Sequence, residues 1–177
     1  MKRILYALFL CALLLPVHLC AAVGLPDEDM ALGGVRIGMT IEAVEELCGE
    51  PADFLERMEG RYAVRIYDYG DTFRVKFRQK ESEDYTVNMV FLGVNDVNDY
   101  IYAPSEEAKS FETPRGIRLD STKEDLAAAY GYLPKPKCSH NAPPVCGYFY
   151  DGDSAGLAFY ICAEHSPGIR SIWLYEN

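Results

Sequence analysis

Gly152-Asp153-Ser154-Ala155-Gly156 spells G-x-S-x-G, the pattern that presents a strained serine for attack on an acyl carbonyl. That chemistry needs a strand-to-helix turn beneath the serine and a histidine base beside it. Ser154 is therefore kept only as a remote serine-hydrolase reading. A second cluster is Cys138, His140, Cys146, Cys162 and His165. Thiolate and imidazole are zinc ligands, but these spacings match no standard zinc pattern, and an oxidising compartment would turn the thiols into disulfides. Paired carboxylates such as Glu45/Glu46 and Asp151/Asp153 read as solvated surface in a chain with 27 Asp and Glu. No glycine-rich phosphate loop is present. We expect no metal, no cofactor and no enzyme activity.

The N-terminus sets the compartment. Lys2 and Arg3 precede an apolar run from position 4 to 15, and Cys20-Ala21-Ala22 supplies small residues for cleavage. This is the layout of a secretory signal peptide, so residues 1–22 are expected to be removed and the protein to be secreted or periplasmic. Leu19 before Cys20 is too large for a lipoprotein signal, so a lipid anchor on Cys20 is disfavoured. No later segment is long and apolar enough for a membrane span. Loss of Lys2 and Arg3 leaves 15 basic against 27 acidic residues, a net charge of −12. Such a charge disfavours nucleic acid and anionic membrane as partners. Four cysteines remain. The Pro-rich loop 139–145 brings Cys138 and Cys146 together as the expected disulfide, with Cys48 and Cys162 a weaker pair or free thiols.

What positions these residues is an echo at an offset of 82. Gly34-Val35-Arg36-Ile37-Gly38-Met39-Thr40 returns as Gly116-Ile117-Arg118-Leu119-Asp120-Ser121-Thr122. Gly70-Asp71-Thr72 returns as Gly152-Asp153-Ser154, and Val90-Phe91-Leu92 as Ile172-Trp173-Leu174. Thr40 and Thr122 are N-cap residues, each followed by an apolar helical pattern that ends at Gly49 or Gly131. Three strand-like runs follow the first helix, at 62–69, 72–78 and 85–92. In the last of these Tyr85, Val87, Met89 and Phe91 are expected on the buried face. Runs near 145–151, 157–162 and 169–175 follow the second helix. The expected fold class is α+β: two repeats of a short helix plus a three-stranded antiparallel meander, forming one curved sheet with helices on one face. The expected boundaries are 1–22 signal peptide, 23–94 first repeat, 95–115 connector with a short helix near 105–110, and 116–177 second repeat.

Val35-Arg36-Ile37-Gly38-Met39-Thr40, with Val44, Leu47, Gly49, Glu50 and Pro51, resembles the opening of the SmpA/OmlA (BamE-like) outer-membrane lipoprotein domain. The segment from Thr113 to Leu119, followed by Thr122, Leu126, Tyr130 and Gly131, looks like the same element. Asp120 stands where the first copy has Gly38. A tandem of such units is similar to the β-lactamase-inhibitor-protein architecture, in which two helix-plus-sheet repeats bind a protein partner. The resemblance implies a bacterial envelope or inhibitor-like protein.

A helix-on-sheet fold leaves the other sheet face open. On that face we expect Arg65, Tyr67, Tyr69, Arg74, Lys76 and Arg78 from the first copy. Phe149 and Tyr160, with Ala158, Arg170 and Leu174, are expected there from the second. Tyr and Arg are residue types that anchor protein interfaces. The expected function is a non-enzymatic protein-binding or inhibitor-like module whose partner is another protein. The alternative is a structural component of the cell envelope.

Overall fold

The computed structural model describes residues 24–70, 72–80, 84–94, 104–140, 143–162, 164 and 166–177. The expected signal peptide and Cys20 therefore lie outside the described residues, as do Asp71 and His165.

Three short helices form where caps specify them. Helix α1, Ile41–Cys48, begins at Thr40, whose hydroxyl accepts from the Ala43 N–H at 3.4 Å. Helix α2, Glu106–Ser110, begins at Ser105, which accepts from the Ala108 N–H at 3.1 Å. Helix α3, Lys123–Tyr130, opens with a full capping box: Thr122 accepts from the Asp125 N–H, and the Asp125 carboxylate accepts from the Thr122 N–H at 2.8 Å. Each cap satisfies a backbone donor that the first helical turn leaves without a partner.

The strands are β1 Asp53–Glu59, β2 Tyr62–Tyr69, β3 Phe73–Gln79, β4 Tyr85–Gly93, β5 Lys137–Cys138, β6 Cys146–Asp151, β7 Ala155–Ile161 and β8 Ile169–Glu176. They make one eight-stranded antiparallel sheet in the order β1-β2-β3-β4-β8-β7-β6-β5. This corrects the expected fold class. Among the described residues the chain is a single sheet with three short α-helices, not two repeats of a helix plus a three-stranded meander. The strands that break the scheme are the two-residue β5 and, more telling, β1. Its residues are almost all exposed, so no buried face imposed an alternation on Asp53-Phe54-Leu55-Glu56-Arg57-Met58-Glu59.

One sheet face is the core. Phe73, Val75 and Phe77 of β3 are fully buried, as are Val90 and Leu92 of β4, Ile172 and Leu174 of β8, and Leu157 and Phe159 of β7. Val44 of α1, Ala108 of α2, and Leu126 and Tyr130 of α3 pack into the same cluster. Burying each large apolar side chain contributes about 1.5–3 kcal/mol, so this face carries the fold. Cys138 and Cys146 form the expected disulfide, which ties β5 to β6. Cys48 and Cys162 are free, and burial raises the pKa of the Cys48 thiol.

Two backbone positions matter where the sheet halves meet. Gly93 ends β4 at φ 108, and a Cβ there would lie 2.1 Å from the Arg170 carbonyl oxygen. Asp120 adopts φ 69, the one non-glycine positive φ among the described residues. Its carboxylate is held by Arg170 at 2.6 Å and by Lys109 at 3.3 Å, which offsets the cost of the left-handed backbone.

Candidate binding site on the open sheet face

Cross-strand register places residues in rows on the face away from the helices. One row runs Asp53, Asp68, Arg74, Phe91, Trp173, Ala158, Phe149 from β1 to β6. The next runs Leu55, Ile66, Lys76, Met89, Tyr175, Gly156, Asp151. A third joins Gly93, Ser171, Tyr160, Gly147 and Lys137.

From β4 to β6 these rows form an aromatic band. Ring centroids lie 5.8 Å apart for Phe91 and Trp173, 4.9 Å for Trp173 and Tyr160, and 6.0 Å for Tyr160 and Phe149. Those separations are in the range of favourable edge and tilted pairing. Cations close both ends: Arg74 sits 6.0 Å from the Phe91 centroid and Lys137 4.7 Å from that of Phe149. Small residues floor the band. A Cβ on Gly156 would meet the Tyr175 ring at 2.6 Å, and one on Gly147 would meet Phe149 at 2.8 Å. The Trp173 indole N–H donates to Ser171 Oγ at 2.8 Å. Burial, followed by the Asp151 carboxylate, pushes the Tyr175 phenol up to about 12, and burial also raises Tyr160.

From β1 to β3 the same face is largely ionic around Leu55 and Ile66, and most of its charges are paired. Arg74 bonds Asp68 at 2.6 Å, Lys76 bonds Glu59 at 2.5 Å, and Arg57 bonds Glu59 at 2.6 Å. Arg78 bonds Glu176, which also takes Lys80 at 2.8 Å. Hydrogen bonds from Lys76 and then Arg57 hold the Glu59 carboxyl below its ordinary value.

Of the residues expected on the open face, the structure gathers Arg74, Lys76, Arg78, Phe149, Ala158 and Tyr160 there. Arg65, Tyr67 and Tyr69 stand on the opposite face. Tyr67 is opposite Val75 and packs on Phe77 at 5.0 Å. Arg65 bonds Glu56 at 2.7 Å and lies 4.5 Å from the Tyr85 centroid. The Tyr69 hydroxyl is buried without a hydrogen-bond partner among the described residues. Both phases of β2 are partly apolar, so periodicity did not say which was buried. Arg170 and Leu174 also belong to the buried side.

Phe91 was missed for a definite reason, and Trp173 and Tyr175 with it, because the offset of 82 carried the phase read for β4 onto β8. A β-bulge in the β3–β4 ladder, between the Lys76 and Phe77 pairings, leaves Asn88 without an opposite residue. An extra residue reverses the inside–outside phase of a strand. Tyr85 and Val87 therefore face inward, followed by Val90 and Leu92, while Met89 and Phe91 turn to the open face. The usable signal was the pair of triplets Val90-Phe91-Leu92 and Ile172-Trp173-Leu174, each with an aromatic between aliphatics.

Ser154 lies in the connection between β6 and β7 and donates to Asp27 at 3.1 Å. No helix follows β6, so the nucleophile-elbow geometry is missing. His140 is exposed, and among the described residues no three His, Cys, Asp or Glu side chains gather as a metal site. No described helix is long and apolar enough to cross a membrane.

No protein-family model and no curated protein matches the chain. Among solved structures, the chain is similar to a DUF4309 family protein (YjgB) from Bacillus subtilis. The identity is 17%, with 88% of this chain and 89% of that chain covered and a TM-score of 0.43. At that level of likeness, function has to be argued from this chain's own residues.

Proposed function

We propose that this chain is a non-enzymatic binding module, exported after loss of its first 22 residues, that receives a protein partner on the open sheet face. The aromatic band from Phe91 to Phe149 carries this reading. Trp173, Tyr160 and Phe149 are partly buried, and Phe91 is buried beside them; rings already fixed by their neighbours lose little side-chain freedom on binding. Tryptophan, tyrosine and arginine dominate interface energetics. The paired cations of β1–β3 then act as a polar rim.

The chain's single tryptophan, Trp173, reports directly on this face. Mature protein should retain a specific protein from envelope extract of its own cells, and binding of that purified protein should shift the Trp173 emission. Trp173→Ala/Tyr160→Ala should weaken capture by at least about 30-fold, the size of a hot-spot loss. Capture unchanged by the double substitution, or emission unmoved on binding, would sink the proposal.

A further inference from the structure

The two edges of the sheet are built differently. β5 is two residues long, tied to β6 by the Cys138–Cys146 disulfide and preceded by Pro134-Lys135-Pro136. Shortness, proline and lysine are the devices that keep an edge strand from pairing with another chain. β1 is seven residues long, and its outer side has no partner strand among the described residues. It also exposes apolar side chains to both faces: Phe54 is 62% exposed, Met58 65% and Leu55 49%.

The backbone of β1 is set up for strand addition. Glu59 and Tyr62 close a two-residue hairpin loop, with Gly60 at φ 62. The closing pair of such a loop is hydrogen-bonded, so odd-numbered residues of β1 bond to β2. Phe54, Glu56 and Met58 therefore present N–H and C=O outward. The Phe54 N–H is meanwhile held by the Asp53 carboxylate at 2.8 Å.

From this we infer that β1 pairs antiparallel with β1 of a second copy of the chain, with the two-fold axis at Leu55. Axes at Phe54 or Met58 would pair only three residues of the strand, and axes at Asp53 or Glu59 only one; among the central registers the strand's own charges select. With the axis at Glu56, Glu56 would face its own copy and Asp53 would face Glu59. With the axis at Arg57, two arginines would meet. Like charges directly opposite destabilise a strand pair. With the axis at Leu55, Leu55 meets Leu55, and Asp53 of each copy meets Arg57 of the other. No like charges are opposed. The axis runs perpendicular to the sheet, so the two open faces join into one surface, with the ionic halves at its centre and an aromatic band toward each end. This holds whether or not that face takes a protein partner.

The test is sedimentation of the mature protein, with circular dichroism confirming the fold of every variant. Wild type should be a dimer at about 100 μM, dissociating on dilution as a small interface does. Asp53→Arg or Arg57→Asp alone should raise the dissociation constant about tenfold, and the double exchange should restore it to within about threefold, because opposite charges are again paired. Leu55→Cys should crosslink to its own copy under mild oxidation. Arg57→Cys should not, since its own copy is four residues along the strand, roughly 13 Å away. A monomeric wild type at 100 μM overturns the inference. So does a double exchange that fails to recover, or equal crosslinking at both positions.

Discussion

Two halves of one sheet face, made from strands of similar length, solve the problem of an uncovered surface in opposite ways. From β1 to β3 the face is mostly charged around Leu55 and Ile66, and most of its charges are tied into pairs: Arg74 with Asp68, Lys76 and Arg57 with Glu59, Arg78 and Lys80 with Glu176. From β4 to β6 the face carries rings in tilted and T-shaped contact. A partner docking on the ionic half would have to strip water from ion pairs that are already satisfied, a cost their attraction often fails to return. On the aromatic half the same partner covers half-buried carbon with few bonds to break. Cations that looked like anchors in the sequence are thus better placed as a rim, and the binding energy belongs with the rings.

The largest expected effect comes at the seam. Gly93→Ala forces a Cβ toward the Arg170 carbonyl at a positive φ and should cost about 3 kcal/mol in urea unfolding. If the loss is below about 1 kcal/mol, the β4–β8 junction is looser than the packing indicates. The two halves themselves are compared next. Trp173→Ala removes packing against Phe91 and Tyr160 and should destabilise by about 2 kcal/mol, less than for a fully buried ring. Lys76→Ala breaks a partly exposed ion pair and should cost about 0.5 kcal/mol. Equal losses would erase the distinction drawn here.

The smallest effect concerns pH. The Glu59 carboxyl titrates below its ordinary value because Lys76 and Arg57 donate to it. A depressed folded-state value stabilises the protein above the unfolded glutamate pKa, about 4.3, and that contribution fades as pH falls through the lower folded value. The stability gap between wild type and Glu59→Gln should therefore be full at neutral pH and close on acidification. High salt should narrow it too. A gap that persists at low pH would mean that the Glu59 side chain matters through packing rather than charge.

Much of the local structure was legible in the residues. Thr40, Ser105 and Thr122 start helices because their oxygens accept from the first turn, and that chemistry is contained within four residues. The alternation of Phe73 to Arg78 showed its buried and open sides because the strand has one apolar and one charged face. The Cys138–Cys146 link follows from a short loop. Strand β1 was invisible, since an exposed strand shows no inside–outside pattern. The phase of β2 was ambiguous, with Val64 and Ile66 on one side and Tyr67 and Tyr69 on the other.

The residues alone thus specified the caps, the disulfide and the placing of Arg74, Lys76, Arg78, Phe149 and Tyr160 on the face away from the core. Each depends on neighbours in the chain or on a clean period of two. Only the tertiary structure decided that all eight strands join in one sheet, and that a bulge at Asn88 turns Phe91 outward to meet Trp173. It also showed each basic side chain of β3 beside a carboxylate of another strand: Asp68 in β2, Glu59 in β1 or Glu176 in β8. Register and pairing depend on which strand lies alongside, and residues 17 and 98 positions apart become neighbours only when the sheet closes.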